Sequence, residues 1–275
     1  MAGARTSART YGKSDPIDAA CVARVALREP DLPHATLAGP DHDVRLLVDH
    51  RDDLVEERRR IIKRLRWNCH DLEVGPELPP RVLTRGIWLA RLTQELRSLP
   101  ESTRRRIALD QTTRCVALTE EIRGLEREIR AHMRVLAPEL MEVPGCSALS
   151  AAQLIGQVAG ASRFRTEAAF AMHVGTAPLA VSSGKCERHR LNRTGNRCLN
   201  STIHIIAVTQ ARMYPPAIAF VERKRAEGMG GREALRCLKR HISRTLYKTM
   251  VRAERARSDG AVRVDFMPPP IAAAV

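Results

Sequence analysis

The chain is poor in aromatic residues and has no long apolar run. Phe, Trp and Tyr make up 3% of its 275 residues, which argues against binding of single strands by rows of stacked rings. No apolar run approaches the roughly 20 residues that cross a bilayer. The opening MAGARTSART has no apolar core, so we do not predict a secretory signal or a membrane partner.

Paired cysteines are also missing. The seven cysteines are odd in number and scattered, without a CxxC pair, at positions 21, 69, 115, 146, 186, 198 and 237. This pattern predicts a reduced, cytoplasmic setting. Cys186, His189 and Cys198 match no standard zinc spacing and lack an evident fourth ligand, so no zinc finger is predicted.

Acidic residues are outnumbered by basic ones. There are 46 Lys and Arg against 31 Asp and Glu, a formal net charge of +15 and a pI near 10.4. Such an excess raises affinity for a polyanion through counterion release and implies no sequence specificity. A nucleic acid is therefore the expected partner, and 44% hydrophobic residues suffice for a folded core.

Two long helices are predicted in the first half of the chain. Apolar residues recur at three- and four-residue steps over residues 41–75 and 102–136. The two helices could form an antiparallel hairpin or a dimerising coiled coil. The charged run from Glu56 to Arg66 is either a solvated helix face with ion pairs or the wall of a nucleic-acid groove.

The second half is rich in small residues and predicts further helices. Pro144 and Gly145 mark a turn that fits either a helix-hairpin-helix element, whose backbone N–H groups face a phosphate, or a plain helix–turn–helix packing unit. Helices are predicted over residues 203–213, 218–225 and 233–252. The tail from residue 253 onward is predicted to be loose.

The segment from Gly175 to Asn200 places two hydroxyls beside a glycine and a basic stretch. Ser182, Ser183 and Gly184 are followed by five cations, namely Lys185, Arg188, Arg190, Arg193 and Arg197. One interpretation is a nucleophile beside groups that bind phosphate. The other is a solvated basic loop that ends in a helix cap at Asn196 or Asn200.

Near the N-terminus, Asp15 and Asp18 stand three residues apart at the predicted start of a helix. In isolation this is a helix N-terminus with acids placed favourably against the helix dipole. Two carboxylates on one helix face can also share a magnesium ion, which completes its shell with phosphate and water.

Several motifs occur together in order. They are Pro144-Gly145, Arg163-Phe164, Gly175-Thr-Ala-Pro178, Ser182-Ser-Gly184, His189-Arg-Leu-Asn-Arg193 and Gly195-Asn196. This pattern resembles the C-terminal transposase domain of the bacterial DEDD-type insertion-sequence transposases, the group that includes bridge-RNA-guided recombinases. The Lys13-Ser-Asp15 and Asp18-Ala19 pattern resembles the motif that carries the last two acids of the DEDD tetrad.

The resemblance implies a transposase that cleaves and rejoins DNA in transposition, in the bacterial cytoplasm near the nucleoid. Asp15 and Asp18 would bind Mg2+. Ser182 would be the nucleophile, with Ser183 as the second candidate. Pro144, Gly145 and the five cations named above would bind nucleic acid. The implied partners are DNA, a structured guide RNA in some relatives, and further copies of the chain.

The first Asp and the Glu of the tetrad belong, by the same resemblance, to an upstream part of an RNase H-like domain. Only 14 residues precede Asp15. We therefore expect an N-terminally truncated copy, or a start codon placed too late, with impaired activity. The alternative function is a non-catalytic DNA- or RNA-binding protein that uses the hairpin turn and the basic loop, and a third is a structural helical protein.

The predicted fold is mainly α. Residues 1–40 are a remnant of the RNase H-like α/β domain, and residues 41–137 form the helical hairpin or coiled coil. Residues 138–252 form an α-helical transposase domain with a helix-hairpin-helix-like element, and residues 253–275 are the loose tail.

Overall fold

A computed structural model describes residues 15–29, 31–32, 34–35, 37–75, 79, 81–183, 186–190, 192 and 194–259, with backbone alone for 180–183 and 186–190. The chain divides into two compact units, the first ending at Ala35 and the second beginning at Thr36. The first unit contains helix α1 (Asp15–Arg28), in which Cys21 is buried.

The second unit is mainly helical, as predicted. Its elements are α2 (Pro40–Asp71), a short 3-10 helix (Val82–Thr84), α3 (Gly86–Ser98), α4 (Thr103–Leu136), α5 (Pro138–Glu142), α6 (Ala148–Val158), α7 (Glu167–His173), strands β1 (Leu179–Ser183) and β2 (Cys186–Arg190), α8 (Arg197–Met213), α9 (Pro215–Ala226) and α10 (Gly231–Ser258). Among the described residues, no helix combines the length and apolar character that a membrane span needs.

Helices α2 and α4 form an antiparallel hairpin within one chain. Their periodic apolar residues meet along the seam, where Leu54 packs against Leu118 and Ile122. Arg51 Nη2 of α2 lies 2.6 Å from Glu126 Oε1 of α4, which links the two helices across the seam. The predicted helices at 41–75 and 102–136 are therefore confirmed, and the hairpin is the arrangement that they adopt.

Helix α3 lies beside one end of this hairpin and was not predicted. Its buried residues Leu89, Leu92 and Leu96 pack in one cluster with Leu65 of α2 and Cys115 of α4. The apolar residues of α3 recur at three- and four-residue steps, which puts them on one face. This apolar face packs into a hydrophobic cluster that α3 shares with α2 and α4.

The other end of the hairpin shares a core with the C-terminal helices. Val44 and Val48 of α2 and Ile129 and Met133 of α4 belong to the same buried cluster as α6, α8 and α10. The predicted boundary between residues 137 and 138 falls inside this shared core, so the described parts of the predicted regions 41–137 and 138–252 pack as one body.

Helix α10 extends six residues past its predicted end at residue 252. The carboxylate of Glu254 accepts hydrogen bonds from two backbone N–H groups of the loop after α6. Arg257 forms a forked ion pair with Asp41 of α2, at 2.6 and 3.3 Å. Residues 253–258 are therefore part of the folded body, which corrects the prediction of a loose tail for this stretch, and residues 260–275 lie outside the described residues.

Candidate nucleic-acid interface

The two predicted serines lie at the tip of a β-hairpin. Strands β1 and β2 pair antiparallel, with Leu179 opposite Arg190 at the base and Ser183 opposite Cys186 at the tip. At about 3.3 Å per strand residue, Ser182 and Ser183 stand roughly 10 and 13 Å from Leu179 along the strand. The C-terminal region thus contains a two-stranded sheet that the all-helical prediction lacked.

Part of the predicted basic loop is a strand. Arg188 and Arg190 are residues of β2, while Arg197 is the first residue of α8. Gly184, Lys185 and Arg193 lie outside the described residues, as do the side chains of Ser182, Ser183, Arg188 and Arg190.

Two glycines fix the base of this hairpin. Gly175 follows α7 with φ +70°, and Gly195 precedes α8. A Cβ atom on Gly195 would lie 2.3 Å from the backbone N of Gly175 and 2.4 Å from its Cα. No side chain fits at position 195 unless Gly175 moves, and Gly175 adopts a positive φ that favours glycine, so the two segments that flank the hairpin meet at two glycines.

Asparagine side chains hold the same junction. Buried Asn192 donates from Nδ2 to the carbonyl of Met172 at 3.0 Å. Asn196 caps α8, because its side-chain oxygen accepts a hydrogen bond from the N–H of Leu199 at 3.1 Å. The predicted helix cap is thus confirmed at Asn196, whereas Asn200 lies inside α8 and has another role.

Asn200 connects the junction to α10. Its Nδ2 donates to the carbonyls of Val174 and Gly175, both at 2.9 Å. Its Oδ1 accepts a hydrogen bond of 2.6 Å from Nζ of Lys239. Lys239 is only 8% exposed; burial lowers the pKa of its ammonium group, and the charge of Arg236 lowers it further.

A cleft of about 540 Å³ opens between α8 and the start of α10, beside this junction. We call it the basic cleft, and its walls are formed by Asn192, Gly195, Arg197, Asn200, Ser201, His204, Arg232, Leu235, Arg236 and Lys239. None of these wall residues is acidic. Arg197, Arg232 and Arg236 are exposed, and within the described part of the chain none of them forms an ion pair.

The next arginines along α10 are compensated. Arg240 and Arg244 both contact Glu167 of α7, at 3.2 and 2.8 Å. Glu167 therefore compensates Arg240 and Arg244, whereas no ion pair within the described residues compensates Arg232 or Arg236, which border the basic cleft. Arg197 was predicted from the sequence to bind nucleic acid, and the cations of α10 were not. Arg232 and Arg236 have the four-residue spacing of one helix face, which was the available signal.

A second cavity of about 330 Å³ adjoins the same residues. It is lined by the Gly175–Pro178 segment on one side and by residues of α10 that include Arg236 and Lys239 on the other. Thr176 Oγ1 donates to Ser243 Oγ at 3.0 Å. The Gly-Thr-Ala-Pro motif thus serves to seat the start of the hairpin on α10.

The Pro144-Gly145 turn connects α5 to α6, and its contacts are with α8. Pro144 is exposed, but its carbonyl accepts a hydrogen bond of 2.7 Å from Gln210 Nε2. Gly145 has φ +77°, and a Cβ there would lie 3.1 Å from the carbonyl oxygen of Ile206. This turn has the packing role that one interpretation predicts, and phosphate binding by its N–H groups remains a prediction.

Two sequence comparisons bear on this region. Residues 137–222 match the family described as "Transposase IS116/IS110/IS902 family". The chain is also 28% identical over 277 residues to the "Insertion element IS116 uncharacterized 44.8 kDa protein" of Streptomyces clavuligerus, covering 83% of this chain and 69% of that protein. Over residues 137–222, the chain is therefore similar to the IS116/IS110/IS902 transposases.

The matched family segment runs from α5 into α9 and includes the whole β-hairpin. Helix α10, which supplies Arg232, Arg236 and Lys239, lies beyond it. The basic cleft therefore combines one wall inside the family segment with another outside it.

Asp15 and Asp18 lie in the first turn of α1, in the first compact unit. Asp15 is exposed and Asp18 is half-buried. The described residues include no group of three or more His, Cys, Asp or Glu side chains placed to hold a metal ion.

Proposed function

We propose that this chain is an insertion-sequence transposase that binds DNA and cleaves and rejoins its strands at the β-hairpin. The observation that carries the proposal is the basic cleft at the base of the hairpin whose tip holds Ser182 and Ser183. Uncompensated guanidinium groups bind phosphate oxygens and offset negative charge that develops at phosphorus. A hydroxyl close to such groups is suited to attack a phosphodiester.

In the proposed reaction, Ser182 is the nucleophile, with Ser183 as the second candidate. The serine Oγ forms a bond to phosphorus as the bond from phosphorus to the leaving strand oxygen breaks. The hydroxyl proton is lost, and the leaving oxygen takes up a proton. A 3′-hydroxyl from a second strand then displaces the serine, which rejoins the DNA.

We also propose that Asp15 and Asp18 would be two ligands of a Mg2+ ion. Bound there, the ion would neutralise charge on nonbridging phosphate oxygens. The described residues contribute no third ligand to this pair, so they do not complete a four-carboxylate site. The steps above therefore rest on the serine and the cationic side chains.

Strand exchange joins two duplexes, so we propose that more than one copy of the chain acts together. A structured guide RNA is a further proposed partner, and resemblance alone supports it. Pulldown of RNA from cells that express the full chain tests it, and recovery of no discrete RNA species would contradict it.

Trapping the covalent intermediate tests the serine. The full chain is incubated with end-labelled DNA that contains the element's ends, and protein–DNA adducts are resolved under denaturing conditions. We expect an adduct that disappears in Ser182→Ala. As a control, it should persist in Ser98→Ala, which removes an exposed hydroxyl on α3 that bonds only its own helix at Glu95 O.

A non-catalytic DNA-binding protein is the second candidate function. The observation that favours it is that the exposed Pro144 turn and the basic cleft both suit contacts to a DNA backbone without chemistry. Retained DNA binding with no adduct in any condition would favour this function. An adduct that survives the combined Ser182→Ala and Ser183→Ala change would contradict the serine mechanism. Absent or salt-insensitive DNA binding would favour a structural helical protein.

A further inference from the structure

We propose that the basic cleft binds the phosphodiester backbone of a DNA strand and leads that strand toward the serines at the tip of the hairpin. Arg197, Arg232, Arg236 and Lys239 would contact the phosphates. This inference rests on the proposed function, because it takes DNA as the ligand, and it names the surface that holds that DNA.

The charge of the residues around the basic cleft favours an anionic ligand. Folding brings together cations from α8 and α10 whose sequence positions differ by 35 or more, and none of the residues in the cleft wall is an acid. Glu167 of α7 pairs instead with Arg240 and Arg244, which lie one and two helical turns beyond Arg236 on α10. Like charges gathered without a partner repel, so the arrangement favours an anionic ligand.

The buried ammonium group of Lys239 on the cleft wall also points to an anionic ligand. Lys239 Nζ carries three N–H donors, and the partner that the structure gives it is a neutral amide oxygen of Asn200. A buried cation normally has an anionic partner. A phosphate oxygen in the cleft would supply the countercharge that Asn200 cannot.

The shape and chemistry of the basic cleft also suit a nucleic-acid backbone. Its volume of about 540 Å³ lies within the range of about 300–1,000 Å³ typical of ligand sites. The residues that line it include no Phe, Trp or Tyr, so bases have no ring to stack on apart from His204. The cleft is therefore suited to contact the backbone and not the bases, and its binding should be independent of sequence.

The length of the hairpin that starts beside the cleft is also compatible with a strand that reaches the serines. Ser182 and Ser183 stand roughly 10 and 13 Å along β1 from the base of the hairpin. With a rise of about 3.4 Å per nucleotide on one strand, this corresponds to roughly three or four nucleotides. A nucleic-acid strand that ran along the hairpin from base to tip would therefore span about three or four nucleotides.

The salt dependence of DNA binding tests the cleft. Fluorescence anisotropy of the full chain with a labelled duplex of about 30 base pairs gives the slope of log affinity against log salt, between about 50 and 200 mM. Each lost phosphate contact should reduce the steepness of this slope by about 0.9. We expect the combined Arg232→Gln and Arg236→Gln change to flatten it by about 1.8.

A matched control removes the same amount of charge from α8 and α10 at positions far from the basic cleft. Arg212 is exposed on α8, about 22 Å from Arg197 at 1.5 Å per residue, and Arg255 is exposed on α10, about 28 Å from Arg236. The combined Arg212→Gln and Arg255→Gln change should leave the slope as in the unmodified chain. All four side chains are exposed, and thermal unfolding of both variants checks that they fold.

The outcomes of this experiment distinguish failure of the cleft proposal from failure of the proposed function. No salt-dependent binding of DNA by the unmodified chain would overturn the proposed function, and the cleft with it. Binding by the unmodified chain with equal slopes for both variants would overturn the cleft alone. If the cleft variant changes the slope for a duplex RNA of equal length and not for DNA, the DNA assignment is overturned.

Discussion

Replacing Gly195 with alanine tests how the β-hairpin is anchored. The new Cβ would lie 2.3 Å from N and 2.4 Å from Cα of Gly175, and 3.0 Å from the carbonyl oxygen of His173. Ordinary carbon contacts are about 3.5–4.0 Å, so the two backbone segments must separate by more than 1 Å. The hydrogen bond of 2.7 Å from Asn196 N–H to His173 O crosses the same junction and would lengthen.

The expected cost follows from these contacts. Overpacking in a filled site costs about 1–3 kcal/mol, and loss of one hydrogen bond adds about 1 kcal/mol. We therefore expect the free energy of unfolding to fall by about 2–4 kcal/mol, which corresponds to a drop in Tm of roughly 4–16 °C at 2–4 °C per kcal/mol. Gly195 has no positive φ, so the steric contact and not backbone strain is the cause.

Urea unfolding followed by circular dichroism measures this change. Gly124→Ala is the matched control, because Gly124 lies within α4 and a Cβ there would meet nothing within 4 Å. Alanine in a helix is favoured over glycine by about 0.5–1 kcal/mol, so the control should be stabilised. A Gly195→Ala protein within about 0.5 kcal/mol of the unmodified chain would refute the reasoning.

Three further measurements test the packing of the second unit. Gly156→Ala should destabilise the chain by about 1–3 kcal/mol in urea unfolding, because its Cβ would lie 2.7 Å from Cβ of Arg45; unchanged stability would mean that α2 and α6 are further apart. Burial lowers the pKa of His173 below its ordinary 6.5, and the charge of Arg163 adds to this. The folded state then binds fewer protons than the unfolded state just below pH 6.5, so stability should fall as the pH drops through that range. His173→Gln should weaken this fall in urea titrations at pH 7.5 and 5.5, and an identical pH dependence would contradict the prediction. A double-mutant cycle of Asp41→Asn and Arg257→Gln should give a coupling of about 0.5–3 kcal/mol, and no coupling would mean that the ion pair of α2 and α10 contributes nothing.

Most helices could be predicted because their signals are local. The apolar residues of α2 and α4 repeat at helical spacing over more than 30 residues, and Asn196 has the side chain that a helix cap requires. Helix α3 was missed because it is short and its assignment depends on Leu65 and Cys115 of other helices, which cover its apolar face.

The hairpin was interpreted as a loop for a related reason. The stretch from Leu179 to Arg190 has few β-branched or aromatic residues, so its own preference for strand is weak. Pairing of β1 with β2 is favoured once its two ends are held together by Gly175 and Gly195, a contact between residues that lie 20 apart in sequence.

Local sequence is enough to establish the helical periodicity, the excess of positive charge and the order of motifs that resembles the transposases. Each of these is a property of neighbouring residues or of composition. Tertiary packing, in contrast, brings Arg197 together with Arg232, Arg236 and Lys239 around one cleft. It also places Glu167 against Arg240 and Arg244. Such meetings depend on how helices pack through a shared core, and packing depends on shape complementarity between distant segments, which no local pattern records.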